Sequence, residues 1–158
     1  MKNQCFWLFK TEAESYSIDD LQRDGNTCWD GVRNYQARNM LRDEVKVGDG
    51  VLFYHSNGDP PAIVGIAGVT QAGYPDHTQF ETGHAKFDPR ATVKSPRWFM
   101  VDISFVEKFR SPLPLESLRD IPELADMELL RKGSRLSVQP VRPAEWKKIL
   151  AMAKSSVR

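Results

Sequence analysis

The apolar residues of this chain fall into short runs and alternating stretches that turn residues separate. Residues 5–9 and 51–55 are short, aromatic-rich runs, which predict buried strands. Residues 98–106 alternate apolar and polar side chains, which predicts a strand with one face in the core. A turn signal at residues 57–61 separates the second run from residues 62–69, so these two strands are expected to form a hairpin.

Two glycines, Gly65 and Gly68, lie inside the second strand of that hairpin. Glycine within a strand favours a bulge, a bend or the close approach of another group. The polar stretch 74–96 then predicts a long excursion, and excursions of this length in compact domains are usually functional. Residues 135–138 predict a last short strand.

Helix signals are fewer than strand signals. Ser17 followed by Asp20 is typical of a capping box, and Asn34 is expected to cap a second helix. Pro143 opens a helix whose apolar residues recur at helical spacing. Together the elements predict a single α+β domain over residues 1–158, in which the strands close into a small mixed β-barrel with peripheral helices.

Composition limits the class of protein. The 158 residues are 41% hydrophobic and 27% charged, which is typical of a globular domain, and the net charge of +1 provides no overall attraction to nucleic acid. The two cysteines do not form a disulfide framework and fit a reducing compartment, and Cys5 is expected in the core. We therefore expect a cytoplasmic (or, in a eukaryote, nuclear) monomer, with no membrane contact because no apolar stretch is long enough to span one.

Several catalytic signatures are absent from the sequence. No two of the three histidines, His55, His77 and His84, have helical or zinc-finger spacing, and the cysteines are far apart. A phosphate loop and a nucleophile elbow are also missing. The sequence therefore predicts no metal, no cofactor and no catalytic residues.

Aromatic and polar side chains instead collect where predicted strands and helices begin or end. Stacking of a flat ligand on an aromatic ring contributes about 1–3 kcal/mol per base on nucleic-acid platforms, so this pattern favours a pocket for such a ligand. The alternatives are a solvated loop at residues 10–12 and an ordinary capped helix with exposed arginines at residues 29–39. The candidate ligand-binding residues are Trp7, Lys10, Thr11, Glu12, Trp29, Asn34, Tyr35, Asn39, Tyr54, His55, Ser56, Trp98, Arg135 and Ser137.

Basic residues lie near the same segments. They are candidates for a rim that contacts a phosphate backbone, although a solvated loop would carry the same charges. These residues are Arg33, Arg38, Lys86, Arg90, Lys94 and Arg97.

Long strings of the chain resemble the EVE domain, a family of PUA-like barrels related to the YTH and ASCH domains. The similar strings cover nearly the whole chain and are residues 7–12, 29–39, 48–56, 64–67, 96–98 with 101–102, and 135–140. The chain departs from the family at Ala13, where many relatives carry proline.

The resemblance implies a PUA-like barrel and a pocket for a modified base, since EVE domains are linked to modified DNA cytosines and YTH domains to methylated adenine in RNA. By this similarity Lys10, Thr11 and Trp29 are expected in the pocket, and Trp98 is the candidate for a second aromatic wall. Asn34, Tyr35 and Asn39 are expected to contact the base edge or the ribose.

Three functions remain open from the sequence. The first is a binding module for nucleic acid with a modified base, in DNA or RNA. The second is an ASCH-like amidohydrolase acting on modified nucleosides through Lys10, Thr11 and Glu12, although adjacent residues of an extended segment point in alternating directions. The third is a protein-interaction module.

Overall fold

The computed structural model describes residues 4–155 of the chain, so residues 1–3 and 156–158 of the predicted 1–158 domain lie outside the described residues. The described part contains the strands β1 (Phe6–Thr11), β2 (Asn26–Cys28), β3 (Gly50–His55), β4 (Ala62–Pro75), β5 (Phe99–Pro114) and β6 (Val138–Val141). Its α-helices are α1 (Ile18–Asp24), α2 (Tyr35–Asp43), α3 (Leu115–Arg119) and α4 (Pro143–Ser155). Short 3₁₀ helices cover His77–Phe80, Pro122–Leu124 and Glu128–Leu130.

The strands form one mixed sheet in the order β2-β5-β4-β3-β1-β6. Strands β1 and β3 are parallel, and the other neighbours are antiparallel. The predicted α+β class is confirmed. Among residues 4–155 no pairing joins β2 to β6, so the sheet keeps two edges and the predicted closure into a barrel is not confirmed.

The predicted hairpin is strands β3 and β4, which pair from Gly50 opposite Gly68 to His55 opposite Ala62. Its register shifts after Phe53, close to Gly65. A Cβ atom on Gly65 would lie 2.4 Å from the backbone oxygen of Glu107 and so could not be accommodated. This glycine therefore allows the close approach of a neighbouring strand, as its position within a strand suggested.

Strands β4 and β5 extend beyond the predicted ends at residues 69 and 106. They pair with each other from Ala62 opposite Pro114 to Pro75 opposite Phe99, with register shifts at several points. The extra length contains polar residues without strict alternation, which is why a pattern of buried and exposed positions did not reveal it.

The sheet carries a hydrophobic cluster on each face. The first cluster contains Phe9 of β1 and Trp29, and α1 and α2 cover it. The second cluster contains Leu8 of β1 and Ile149 of α4. Alternate residues of β1 thus point to opposite sides of the sheet, and this alternation decides which side chains face the functional site.

Local signals along the chain had mixed outcomes. Ser17 caps α1 in a capping box, and the side chain of Asn34 caps α2, as predicted. Cys5 is exposed, not in the core, because β1 begins one residue later. The last strand covers Val138–Val141 and not residues 135–138, because it is positioned by antiparallel pairing with β1. No helix in the described part is long and apolar enough to span a bilayer.

Candidate functional site

A cavity of about 600 Å³ opens between the end of β1, the segment from β2 to the start of α2, and the excursion after β4. We call it the pocket. Its lining combines hydroxyl, amide, carboxylate, ammonium and aromatic groups. The lining residues are Lys10, Thr11, Ser15, Tyr16, Thr27, Cys28, Trp29, Asp30, Gly31, Val32, Arg33, Asn34, Lys86 and Ser137.

Trp29 provides the aromatic surface of the pocket. Only 8% of the residue is exposed, because its ring packs 5.4 Å from the ring of Phe9 and meets Phe53 edge-on at 5.6 Å. Its backbone N–H donates to the carbonyl of Val101 in β5. Core packing therefore holds the orientation of an indole that also lines the cavity, which is the arrangement a stacking surface needs.

The turn after Trp29 is held by Asp76, a fully buried residue at the start of the excursion. The Asp76 carboxylate accepts hydrogen bonds from the backbone N–H of Gly31 at 2.7 Å, from the Arg33 guanidinium at 3.1 Å, and from Thr78. Burial alone would raise the pKa of Asp76, but these hydrogen bonds outweigh it and keep the pKa below its ordinary value of 3.8. Gly31 has a φ of 82°, which favours glycine at this turn.

All five N–H donors of Arg33 are engaged within the protein, two of them with the backbone oxygen of Lys86. The others reach the backbone oxygen of Val32, the Asp76 carboxylate and the Thr78 hydroxyl. These hydrogen bonds tie the excursion to the pocket wall, so the structure gives Arg33 a structural role and leaves none of its donors for the phosphate contact that the sequence predicted.

The two hydrogen bonds from Arg33 to its backbone oxygen position Lys86. Its stem packs beside Gly31, where a Cβ would lie 3.6 Å from Cε of the lysine, and the side chain is exposed to solvent. The rest of the excursion is also fastened: the Trp98 indole donates to Asp88 at 2.7 Å, and the Gln79 amide bonds the backbone of Trp98. The long polar segment is thus pinned at several points along the side of the pocket.

Hydrogen-bonding groups for a ligand come from four places in the lining. Asn34 uses Oδ1 to cap α2, which leaves its Nδ2 donor for a ligand. Burial and the neighbouring Asp76 raise the pKa of Asp30 above its ordinary value. Tyr16 donates to Asp24, and burial with that hydrogen bond raises the pKa of Tyr16 to about 12, so it stays neutral. Thr11 contributes a hydroxyl.

Lys10 lines the pocket at the end of β1, but its ammonium lies 6.0 Å from the ring centroid of Tyr54, a residue of the second cluster. Strand alternation explains this, because Lys10 has the same parity as Leu8 and the opposite parity to Thr11. Burial lowers the pKa of Lys10, while Glu128 opposes that shift. The side chains of Lys10 and Thr11 therefore leave the strand on different faces of the sheet, although both residues line the pocket.

Several predicted ligand residues serve the fold instead. Trp7 is buried in the first cluster, where its indole donates to Asp49 at 2.9 Å. Tyr54 is buried in the second cluster, on the other side of the sheet. His55 accepts the backbone N–H of Ile18 through Nε2 and so helps to begin α1. These three placements differ from the prediction, because the sequence does not show which face of a strand meets the ligand.

Trp98 belongs to a separate aromatic and cationic cluster beside the pocket. Its ring stacks on Tyr35 at 4.8 Å, and the guanidinium of Arg38 lies 4.9 Å from the Tyr35 ring. Trp98 is buried, whereas Tyr35 is 45% exposed. Trp98 therefore supports Tyr35 and does not form a second wall of the pocket.

The remaining predicted residues do not line the pocket. Arg38 donates to the backbone oxygen of Arg97 and to Asn39, which leaves fewer donors for phosphate. The other predicted residues outside the lining are Glu12, Asn39, Ser56, Arg90, Lys94, Arg97 and Arg135. Conversely, sequence reasoning missed five polar lining residues on the segments after β1 and around β2, namely Ser15, Tyr16, Thr27, Cys28 and Asp30. The sequence feature that could have revealed them is that they lie within a few residues of Thr11 or Trp29 along the chain.

The sequence model of the EVE domain matches residues 5–152. The chain belongs to the EVE domain family. The domain fills almost the whole described part, so the pocket described above lies within an EVE domain of the PUA-like fold.

Relatives of this EVE domain include mouse thymocyte nuclear protein 1, which is 42% identical over 166 residues covering 93% of this chain and 73% of that protein. A hypothetical protein from Leishmania major has a similar solved structure, with a TM-score of 0.94, 43% identity and coverage of 99% and 98% of the two chains. The human THYN1 protein, solved in complex with 5-methylcytosine-containing DNA, has a TM-score of 0.89 and 38% identity, covering 96% of this chain and 98% of that chain.

An ASCH protein mutant from Zymomonas mobilis is a more distant structural neighbour. It has a TM-score of 0.55 and 11% identity, covering 93% of this chain and 97% of that chain. A likeness at this level shows a shared fold only, and it carries no catalytic activity over to the EVE domain.

Proposed function

We propose that this chain binds DNA that carries a modified cytosine, with the modified base seated in the pocket and without catalysis. The observation that carries the proposal is the pocket itself: Trp29 offers a fixed aromatic surface beside the carboxylate of Asp30 and the amide of Asn34. Its volume of about 600 Å³ falls within the usual range for small-ligand sites. The DNA complex of the human relative supports the same class of ligand.

The polar groups of the lining are complementary to the edge of cytosine. Cytosine presents an exocyclic amine, which a carboxylate such as Asp30 accepts, and two acceptor atoms on the same edge. The free Nδ2 of Asn34 can donate to one of those acceptors. Val32 offers apolar surface in the lining for a methyl substituent on the ring.

The base must leave the helical stack to enter a cavity of this kind. Extrusion costs a few kcal/mol, which stacking on Trp29 and the hydrogen bonds to the edge would offset. Lys86 is the cation placed at the side of the pocket, where the phosphate of an extruded nucleotide would pass. Because Arg33 is fully engaged, we assign the nearest phosphate contact to Lys86 alone.

The position of Lys10 favours binding over hydrolysis. An amidohydrolase of the ASCH type would need its lysine and hydroxyl to converge on one substrate atom. Here Lys10 and Thr11 leave β1 on opposite faces, although both line the pocket, and the ammonium of Lys10 lies 6.0 Å from the ring centroid of Tyr54 in the second cluster. Incubation with acylated cytidine should therefore yield no product, and turnover that disappears in Lys10→Ala would overturn this part of the proposal.

The decisive experiment is a fluorescence titration with four oligonucleotides of one sequence: DNA and RNA, each with cytosine or 5-methylcytosine at one position. We expect the tightest binding to the methylated DNA. Asp30→Asn should lower the affinity for the methylated and the unmethylated oligonucleotide alike, by roughly 1–3 kcal/mol, because both bases present the same exocyclic amine. Asp126→Asn is the control. It makes the same chemical change at an exposed residue that lies along the chain between Leu124 and Met127 of the second cluster, and it should bind like the wild type.

Equal binding to all four oligonucleotides, or binding to none, would refute recognition of a modified base. Preference for the methylated RNA would refute DNA as the partner while leaving the pocket assignment in place. A parallel titration in rising salt should show that Lys86→Gln lowers the salt dependence by about one phosphate contact.

A further inference from the structure

Three side chains with different metal-binding atoms meet at the edge of the pocket. They are the thiol of Cys28, the carboxylate of Asp30 and the imidazole of His77, and one ligand atom from each lies within 4.8 Å of the others. Sequence spacing predicted no metal site, because His77 is far along the chain from the other two. The tertiary structure therefore creates a cluster that ligand spacing could not reveal.

The two chain segments that carry the cluster are fastened together next to it. Cys28 ends β2, and Asp30 begins the turn whose Gly31 N–H donates to Asp76, the residue before His77. Arg33 adds an ion pair to the same Asp76 carboxylate. Because Asp76 is fully buried, the positions of Asp30 and His77 relative to each other follow from the fold and not from a chance meeting of surface groups.

The distances suit a small divalent ion after minor adjustment. The sulfur of Cys28 lies 3.9 Å from Oδ2 of Asp30. Ligands 2.0–2.3 Å from a tetrahedral zinc ion lie roughly 3.5 Å apart. Asp30 and His77 are both exposed at the surface, so rotation about their side-chain bonds is not restricted by surrounding core residues.

The surrounding charges favour a cation over a reactive thiolate. Besides Asp30, the carboxylates of Asp102 and Asp76 place negative charge near the Cys28 thiol. A nucleophilic cysteine needs cationic neighbours, which is the opposite arrangement. Glu81 lies 3.6 Å from Nε2 of His77 and could orient the ring, as carboxylates commonly do for metal-bound histidines.

We propose that Cys28, Asp30 and His77 bind one divalent metal ion of the zinc class at the wall of the pocket. Mixed sulfur, nitrogen and oxygen ligands select borderline-soft ions such as Zn²⁺ and Co²⁺ over Mg²⁺ and Ca²⁺. Three protein ligands leave a fourth position for water or for an atom of a ligand in the pocket, since Cys28 and Asp30 both line it. Both proposals use Asp30, but the metal proposal rests on the geometry of the three side chains and its test uses no nucleic acid, so either can fail without the other.

The test uses the full chain without a histidine tag, stripped with chelator and then titrated with Co²⁺. Thiolate ligation produces a sulfur-to-cobalt charge-transfer absorption, which we expect to saturate at one ion per chain and to disappear on adding Zn²⁺. Cys28→Ser should abolish this absorption. His77→Ala should weaken cobalt binding at least as much as loss of an outer-sphere partner does, about 10- to 100-fold.

The chain contains matched controls for both ligands. Cys5→Ser alters the other cysteine, which is exposed and does not belong to the cluster, and His84→Ala removes a histidine of the same excursion. Both should bind cobalt like the wild type, and circular dichroism checks that all four variants are folded. No charge-transfer absorption in the wild type, its persistence in Cys28→Ser, or unchanged affinity in His77→Ala would each overturn the assignment.

Discussion

Replacement of Asp76 by asparagine tests whether one buried carboxylate holds the wall of the pocket. The side chain is fully buried, and its two oxygens accept four hydrogen bonds, from Gly31, from Arg33 and twice from Thr78. Asparagine keeps the shape but replaces one oxygen with an NH₂ group. Turned toward Gly31 and Arg33, that group faces two donors and two hydrogen bonds are lost; turned toward Thr78, it loses the bond from the Thr78 N–H, because the hydroxyl can accept instead of donate.

The magnitude follows from these contacts. Hydrogen bonds to a charged group contribute about 1.5–3 kcal/mol each, so losing one or two costs about 1.5–6 kcal/mol. Removing one partner of a buried ion pair costs about 3–5 kcal/mol, which lies within that range and is the loss we expect. For a domain of this size a loss of 1 kcal/mol lowers Tm by about 2–4 °C, so Asp76→Asn should melt roughly 6–20 °C below the wild type. The release of Arg33 should also free the backbone of Lys86 and weaken ligand binding.

Urea unfolding at pH 7 measures the free-energy difference, with Asp43→Asn as the control. Asp43 is exposed and pairs with Arg42 at the surface, so the control should unfold like the wild type. Because the folded pKa of Asp76 lies below 3.8, its stabilisation is complete above the unfolded value and is lost as pH falls through the folded value. The gap between wild type and Asp76→Asn should therefore narrow in acid. Equal stability of the Asp76 and Asp43 variants at pH 7 would refute the reasoning.

Two further predictions concern the hairpin. Gly65→Ala should destabilise the chain by about 1–3 kcal/mol, because the new Cβ would lie 2.4 Å from the oxygen of Glu107, whereas the control Gly68→Ala meets its nearest atom at 3.7 Å and should be tolerated. Equal urea midpoints for the two alanine variants would contradict this steric account. Burial lowers the pKa of His55, which accepts a backbone hydrogen bond in its neutral form, so folding stability should fall as pH drops below 6.5. His55→Gln should show a smaller fall between pH 7.5 and 5.5 in urea unfolding, and an unchanged fall would exclude this histidine.

Local signals predicted the short elements well, because their determinants lie within a few residues of each other. Ser17 and Asn34 cap helices through their own side chains, and apolar runs mark β1 and β3. The lengths of β4 and β5 could not be predicted in this way. They depend on pairing with each other across register shifts, which is a relation between distant parts of the chain.

The candidate site was only partly predictable for the same reason. The sequence pointed to Thr11, Trp29 and Asn34, which the structure brings together around one cavity. Residue pattern without the family resemblance could not separate Trp29 from Trp7, since both are tryptophans near polar groups. Packing alone distinguishes them: Trp7 reaches a buried carboxylate in the core, whereas Trp29 also faces the cavity.

By itself the sequence determined the class of fold, the position of most strands and helices, and the chemical types available for a ligand. These follow from periodicity, capping residues and short strings that resemble the family, all of which are local. Only the tertiary structure decided that the guanidinium of Arg33 bonds the backbone of Lys86 in the excursion, and that His77 meets Cys28. The physical reason is that strand register and a buried carboxylate set side-chain directions and neighbours, and neither is encoded within a single short segment.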